Sequence, residues 1–235
     1  NDEEIKPCRT YFWKKIKDKV QGKAMVEAAL EINHWCAGEV MYQGTDMRTG
    51  SALEIYRSGV GRCGEEAVFV VNVMRSAGIP ARPVYVPRWS HCDDNHAWVE
   101  VWCDGDWHYL GACEPEAVLD KGWFTNAASR AMMIGSRWYD RAMPDEKVIG
   151  KDGMNRIINL LGKYAKTRWI TITVEDLDGT PAAGAKVRAE VMNYGEFSPI
   201  AIMEADKNGC ISFETGFGSL LICAVYDGAY GEKVI

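Results

Sequence analysis

The sequence predicts an α+β protein whose last third is an antiparallel β-sandwich. Helical periodicity recurs before residue 77, an Asp104-Gly105 turn joins two alternating strands, and short strands punctuated by Asp178-Gly179 and Asn208-Gly209 follow residue 166. A length of 235 residues allows one to two domains. The change of texture sets the expected boundary near 165: residues 1–165 form the first domain and 166–235 the β-module. Charge divides there too, since residues 168–235 hold five basic and ten acidic side chains, while the remainder is nearly neutral.

Taken in order, Tyr11, Phe12, Ile16, Val20, Met25 and Ala29 recur at helical spacing, so the first thirty-odd residues read as helix. Lys14, Lys15, Lys17, Lys19 and Lys23 fill its solvated face. Residues 44–61, rich in Gly, Thr and Ser, predict a loop with a short helix around Ala52–Tyr56. From Cys63 to Ser76, Ala67, Val70, Val71 and Met74 form a buried helical stripe that Gly78 and Pro80 bring to a stop. Arg82–Val86, Ala97–Trp102 and Trp107–Leu110 read as strands. A short amphipathic stretch, Met154–Tyr164, precedes strands at Trp169–Val174, Ala185–Met192, Ile200–Glu204, Cys210–Phe213 and Leu220–Tyr226.

Composition excludes several classes of function. With 47% hydrophobic and 26% charged residues the chain is an ordinary folding sequence. Its net charge of −6 lacks the Lys and Arg excess that displaces counterions from phosphates, so no nucleic-acid partner is expected. The longest apolar run, Leu220–Tyr226, is far short of the roughly 20 residues of a membrane-spanning helix. Eight cysteines are too sparse for a disulfide scaffold, and with no CxxC pair and no HExxH the sequence calls for no metal and no cofactor. No basic-then-apolar leader follows Asn1, which leaves a cytosolic chain or a processed piece of a longer protein.

Cys63 opens the predicted helix directly after Gly61-Arg62, where unpaired backbone N–H groups and the helix dipole stabilise a thiolate. Gly61 and Gly64 leave room for a substrate, and the Cys63 N–H could help hold an oxyanion. His96 begins the strand Asn95-His96-Ala97-Trp98-Val99-Glu100-Val101, a placement suited to proton transfer. A cysteine at a helix start with a histidine on a neighbouring strand is the thiol–imidazole arrangement of acyl transfer.

The GxCGE start at Cys63, the GIPAR turn at Gly78–Arg82, the HxWVEV strand from His96 and the following strand with Trp107 resemble the core of the transglutaminase-like superfamily. This resemblance covers residues 30 to about 145 and implies a papain-like α+β fold with Cys63 as nucleophile and His96 as base. The family places an Asp about four positions after that tryptophan, and here that position is Gly111. Glu114, followed by Pro115, is the candidate to orient His96 in its stead. A two-residue Asp104-Gly105 loop would set residue 96 opposite 113 and send Glu114 to the wrong face. A three-residue loop with Gly105 in a bulge sets 96 opposite 112 and returns it.

Trp35, Tyr42 and Gln43 are candidates for a second oxyanion donor, against aromatic packing for the first two. His91, Asp93 and Asp94 either shape the cleft or form a solvated loop, and Arg82 is expected to brace the fold by ion pairing. Trp89, Trp98, Trp102, Trp107 and Trp123 either line an apolar slot or pack the core. The expected function is a thiol enzyme that cleaves or exchanges amide bonds of a peptide, protein or glycopeptide through a thioester on Cys63, with hydrolysis ahead of cross-linking. The alternative is an inactive binding or scaffold module, suggested by Gly111. Residues 166–235 resemble the Ig-like or prealbumin-like β-modules that accompany extracytoplasmic enzymes of bacteria, which implies export, to the periplasm or the cell surface.

Overall fold

The predicted amino-terminal helix is two helices, α1 (Arg9–Val20) and α2 (Met25–Glu39), because Gly22 takes a left-handed φ of 78° between them. The structure, a computed structural model, describes residues 7–45, 48–139 and 147–235. Strand β1 (Met41–Tyr42) follows, and residues 46 and 47 of the expected loop lie outside the described residues. The short helix α3 (Ala52–Ser58) starts where the Ser51 hydroxyl accepts from the Glu54 N–H at 3.3 Å and ends at left-handed Gly59. Strand β2 (Val60–Gly61) pairs in parallel with β1 and leads into α4 (Cys63–Ser76), the helix the periodicity predicts.

Helix α4 buries more than its predicted stripe: Glu65, Glu66, Phe69 and Val73 are inside along with Ala67, Val70, Val71 and Met74. Between its two end residues, only the stripe Gly64, Val68, Asn72 and Arg75 stays half-buried or exposed. Helices α1, α2 and α3 cover it on one side, and β4 (His96–Cys103) packs on it too. Strands β3 (Ala81–Val86), β4 and β5 (Asp106–Leu110) lie in the order β5-β4-β3. The β4–β5 turn is the two-residue form, with Asp104 and Gly105 both left-handed (φ 53° and 94°) and Cys103 opposite Asp106. The expected Gly105 bulge is therefore absent, because an Asp-Gly pair accommodates the two positive φ angles unaided.

These elements form one compact unit, the chain up to Tyr85 with His96–Trp123, and Val86–Asn95 with Phe124–Ile235 forms a second. In the second unit α5 (Thr125–Ala128) precedes β6 (Gly135–Tyr139), β7 (Lys147–Asp152) and β8 (Asn155–Asn159), which lie in the order β6-β8-β7. The amphipathic stretch at 154–164 is thus β8 and a 3₁₀ turn, Leu161–Lys163. Strands β9 (Arg168–Thr173), β10 (Lys186–Asn193), β11 (Glu196–Glu204), β12 (Cys210–Thr215), β13 (Leu221–Tyr226) and β14 (Ala229–Val234) make two antiparallel sheets, β11-β10-β13-β14 and β12-β9. Val187, Ala189 and Val191 of one sheet share a core with Ile211 and Phe213 of the other. Strand β14 carries no apolar alternation and is exposed along its length, and the turn that creates it is another Asp-Gly pair, Asp227-Gly228, with both residues left-handed.

The texture change at 165 falls inside this second unit. Asn193 Nδ2 donates to the carbonyls of Trp89, Cys92 and Asp94 at 2.9–3.2 Å, and Thr215 Oγ1 donates to the Met132 carbonyl at 2.7 Å. Asn159 Nδ2 reaches the Glu214 carbonyl at 2.7 Å.

The ring of Phe69, fully buried on α4, lies 5.6 Å from Phe12, 6.1 Å from Trp35 and 6.0 Å from Tyr56, one from each surrounding helix. Phe69→Ala should lower the unfolding free energy by about 3–5 kcal/mol. Trp13→Ala, at an exposed site, should change it by less than about 1 kcal/mol. Urea titrations followed by circular dichroism compare the two.

Candidate active site

Cys63 is the first residue of α4 and is half-buried. Two residues on, Glu65 folds back so that its carboxylate accepts from the Arg62 N–H at 3.1 Å, the carboxylate half of a capping box. The same carboxylate accepts from Thr45 Oγ1 at 2.5 Å and from the Gly50 N–H at 3.2 Å, and Arg62 Nε reaches Thr45 Oγ1 at 3.2 Å. The described parts of the loop before α3 are thereby fastened to the turn that presents the thiol. A Cβ on Gly61 would lie 3.1 Å from the Glu65 Cβ, so glycine there permits the cap. Sequence reasoning did not single out Glu65, although an acid at the third helical position is a capping signal.

His96, the first residue of β4, is 6% exposed. Two tryptophans flank its ring: Trp98 is stacked at 5.9 Å and Trp123 is tilted at 4.6 Å. The indole N–H of Trp123 donates to Glu114 Oε1 at 2.9 Å, and the other oxygen, Oε2, stands 4.0 Å from His96 Nε2. The structure thus brings Glu114 to His96, at ion-pair distance rather than within a hydrogen bond. Cys63 stands at the start of the helix that packs on the histidine's strand.

The two-residue turn should have sent Glu114 to the wrong face, but the ladder does not extend that far. Pairing of β4 with β5 runs from Cys103–Asp106 to Val99–Leu110. Beyond Leu110 the chain turns, with the Glu114 N–H donating to the Gly111 carbonyl at 3.2 Å and Cys113 left-handed at φ 57°. Buried Asn33 of α2 holds this turn from both sides: its amide donates to the Gly111 carbonyl at 2.9 Å and accepts from the Cys113 N–H at 3.1 Å. A Cβ on Gly111 would collide with Glu114 Oε2 and lie 2.8 Å from the Glu114 Cβ. Glycine at 111 is what lets the glutamate fold across that position.

The turn's return segment is fixed in the same way. The Asp120 N–H donates to the Tyr109 carbonyl at 2.8 Å, and the Asp120 carboxylate accepts from the Tyr109 N–H at 2.9 Å and contacts His108 at 2.6 Å. Three residues later the chain presents Trp123 against His96.

Burial raises the Glu114 carboxyl above the usual carboxylate range, opposed by the Trp123 hydrogen bond. Glu66, one helical turn past Cys63 and 3% exposed, is pushed up to about 8 by burial, then by the charges of Glu114 and Glu65. The Cys113 thiol is driven far up by burial and by Glu66 and Glu114, which keeps it from competing as a nucleophile.

Trp35 stacks on Tyr56 at 6.0 Å within the helical core, while Tyr42 and Gln43 lie exposed, the Gln43 N–H donating to the Gly61 carbonyl at 2.9 Å. Arg82 braces the interior: it pairs with buried Glu100 at 2.6 Å, its guanidinium 4.2 Å from the Trp107 ring centre. Asp93 accepts from the Tyr194 N–H at 2.6 Å. No cluster of His, Cys, Asp and Glu among the described residues could hold a metal.

Residues 14–112 match the sequence profile of the transglutaminase-like superfamily. The chain carries a transglutaminase-like core. Among solved structures, the chain is similar to a Parabacteroides distasonis protein provisionally described as a protease (18% identity, 55% of this chain and 25% of that one, TM-score 0.41). It is also similar to a Cytophaga hutchinsonii protein provisionally described as a cysteine protease (18% identity, 65% and 57%, TM-score 0.39). Red sea bream transglutaminase is a third (11% identity, 97% and 56%, TM-score 0.43). The chain therefore spans well under two thirds of each of these proteins. No curated protein matches it. Among the described residues, no helix is long and apolar enough to cross a membrane.

Glu66 generates a pH dependence whose sign follows from its raised pKa. From its ordinary 4.5 up to about 8 the folded chain keeps a proton that the unfolded chain has released. This acid's share of stability is therefore complete below that window and is lost as pH rises through it. Glu66→Gln, neutral at every pH, should flatten the fall, so melting temperatures of the two proteins should diverge between about pH 5 and 8.5. Parallel curves would show that Glu66 ionises normally.

Proposed function

We propose that the chain is a cysteine-dependent acyl-transfer enzyme acting on amide bonds of a peptide, protein or glycopeptide, with water as the favoured acceptor. Cys63 attacks the carbonyl carbon while His96 takes the thiol proton. The tetrahedral oxyanion collapses to a thioester as the imidazolium protonates the departing amine, and water then releases the acid and regenerates the thiol. Glu114 orients the imidazole through Nε2 and stabilises it as it becomes charged. The observation that carries this reading is the exchange at the turn: Gly111 leaves the expected position empty and the Glu114 carboxylate fills it, 4.0 Å from His96 Nε2. That gap is long for a resting hydrogen bond and must close by about 1 Å as the imidazolium forms.

A scaffold module without activity is the competing reading, favoured by the same 4.0 Å gap and by the raised Glu114 carboxyl. Iodoacetamide at neutral pH, with mass mapping of all eight cysteines, separates the two. The enzyme should be alkylated first at Cys63, and Cys63→Ala should abolish amide turnover with an almost unchanged melting temperature. Slow labelling at Cys63, or turnover retained in the variant, would sink the assignment.

Glu114→Gln should lower kcat on the order of 10²–10⁴-fold with little change in KM, since an orienting carboxylate acts mainly as charge develops. An unchanged kcat would make Glu114 a structural residue only. Comparing free acid with amine adduct at increasing primary amine tests the preference for water.

A further inference from the structure

The second unit holds a cavity of about 1050 Å³ that the thiol chemistry does not use. Arg130, Lys163 and Lys166 line it, and His91 joins them. Glu190 is the acid among its described lining residues, and it is itself buried and paired with Arg188 at 3.0 Å. In a chain of net charge −6, three cations around one opening are a concentration against the general balance. Burial and the charge of Arg130 hold the His91 pKa below its ordinary value, so the opening is already positive without it.

Its apolar part is unusual as well. Met192, Phe197, Phe217 and Val234 all line this cavity, and each is about half exposed or more. Large apolar side chains gathered at one exposed place mark a binding surface more often than chance scatter does. Phe217 is held there by a braced loop. The Gly216 N–H donates to the Met132 carbonyl at 3.3 Å, and Arg168 Nη2 donates to the Gly218 carbonyl at 2.6 Å. A Cβ on Gly216 would strike the Ala131 carbonyl, and one on Gly218 would lie 2.9 Å from the Met132 sulfur. The two glycines let the loop press against residues 131–132 and hold Phe217 at 67% exposure.

We propose that this cavity binds an extended acidic peptide segment, its carboxylates on Arg130, Lys163 and Lys166 and its apolar side chains on Met192, Phe197, Phe217 and Val234. The aliphatic and thioether groups of the wall favour a peptide over an acidic glycan, whose hydroxyls would lose water there without gaining partners. Val234 belongs to β14, the last strand of its sheet, and an edge strand offers backbone groups that an extended peptide can complement. The proposal goes beyond the thiol chemistry and does not depend on it.

Fluorescence anisotropy on the full chain carrying Cys63→Ala, which cannot cleave the probe, tests this. The probe is a labelled peptide alternating Glu with Leu and Phe. Saturable binding that weakens with salt is expected, and the same peptide with Gln for Glu should bind at least about tenfold more weakly. The exposed triple substitution Arg130→Gln, Lys163→Gln and Lys166→Gln should also cost about tenfold or more, and Phe217→Ala about fivefold. Absence of saturable binding, equal affinity for the Gln peptide, indifference to the triple substitution, or tighter binding of oligogalacturonate would each overturn the proposal.

Discussion

Helix α4 buries most of its circumference, and the first unit is arranged around it. Three helices supply aromatic rings to one flank and β4 covers another, so the helix cannot slide or rotate without opening voids in a close-packed interior. Its amino terminus must still reach the surface to offer a thiol. The Glu65 cap reconciles the two demands, satisfying donors at the buried end while leaving the first residue accessible. A rigid core thereby fixes where the Cys63 thiol stands, which is the geometric requirement of the proposed covalent chemistry.

How legible this was in the sequence depends on the range of the interactions involved. Helix α4 could be read to the residue because its periodicity, a Gly just before it and a Gly-Pro close behind it are local signals. The β4–β5 hairpin was equally plain in Asp104-Gly105, though the choice between two loop lengths was not. Strand β14 was missed because its residues face solvent and show no alternation, even though Asp227-Gly228 announces the turn. The split between α1 and α2 turned on Gly22, a single residue within an otherwise unbroken pattern.

The candidate site was legible in its residue types and less so in its geometry. Cys63 and His96 could be placed at a helix start and a strand start from sequence alone. Glu114 could be nominated but not positioned, because a ladder register says nothing about a chain that has left the ladder. What positions it is Asn33, 78 residues before the turn carbonyl it binds, and no local pattern marks an asparagine on a helix as the clamp of a distant turn. The steric exclusion between Gly111 and Glu114 likewise shows only in three dimensions.

Glu114 sits on a turn and His96 at the start of a strand, so the proposed chemistry asks nothing of the hairpin tip. His96 opens β4 and Asp104 follows its last residue, a separation of about 26 Å at about 3.3 Å per residue. The tip residues Asp104, Gly105 and Asp106 are all exposed. An affinity handle, a dye or a surface anchor inserted there would hold the protein by the end of the strand remote from the imidazole.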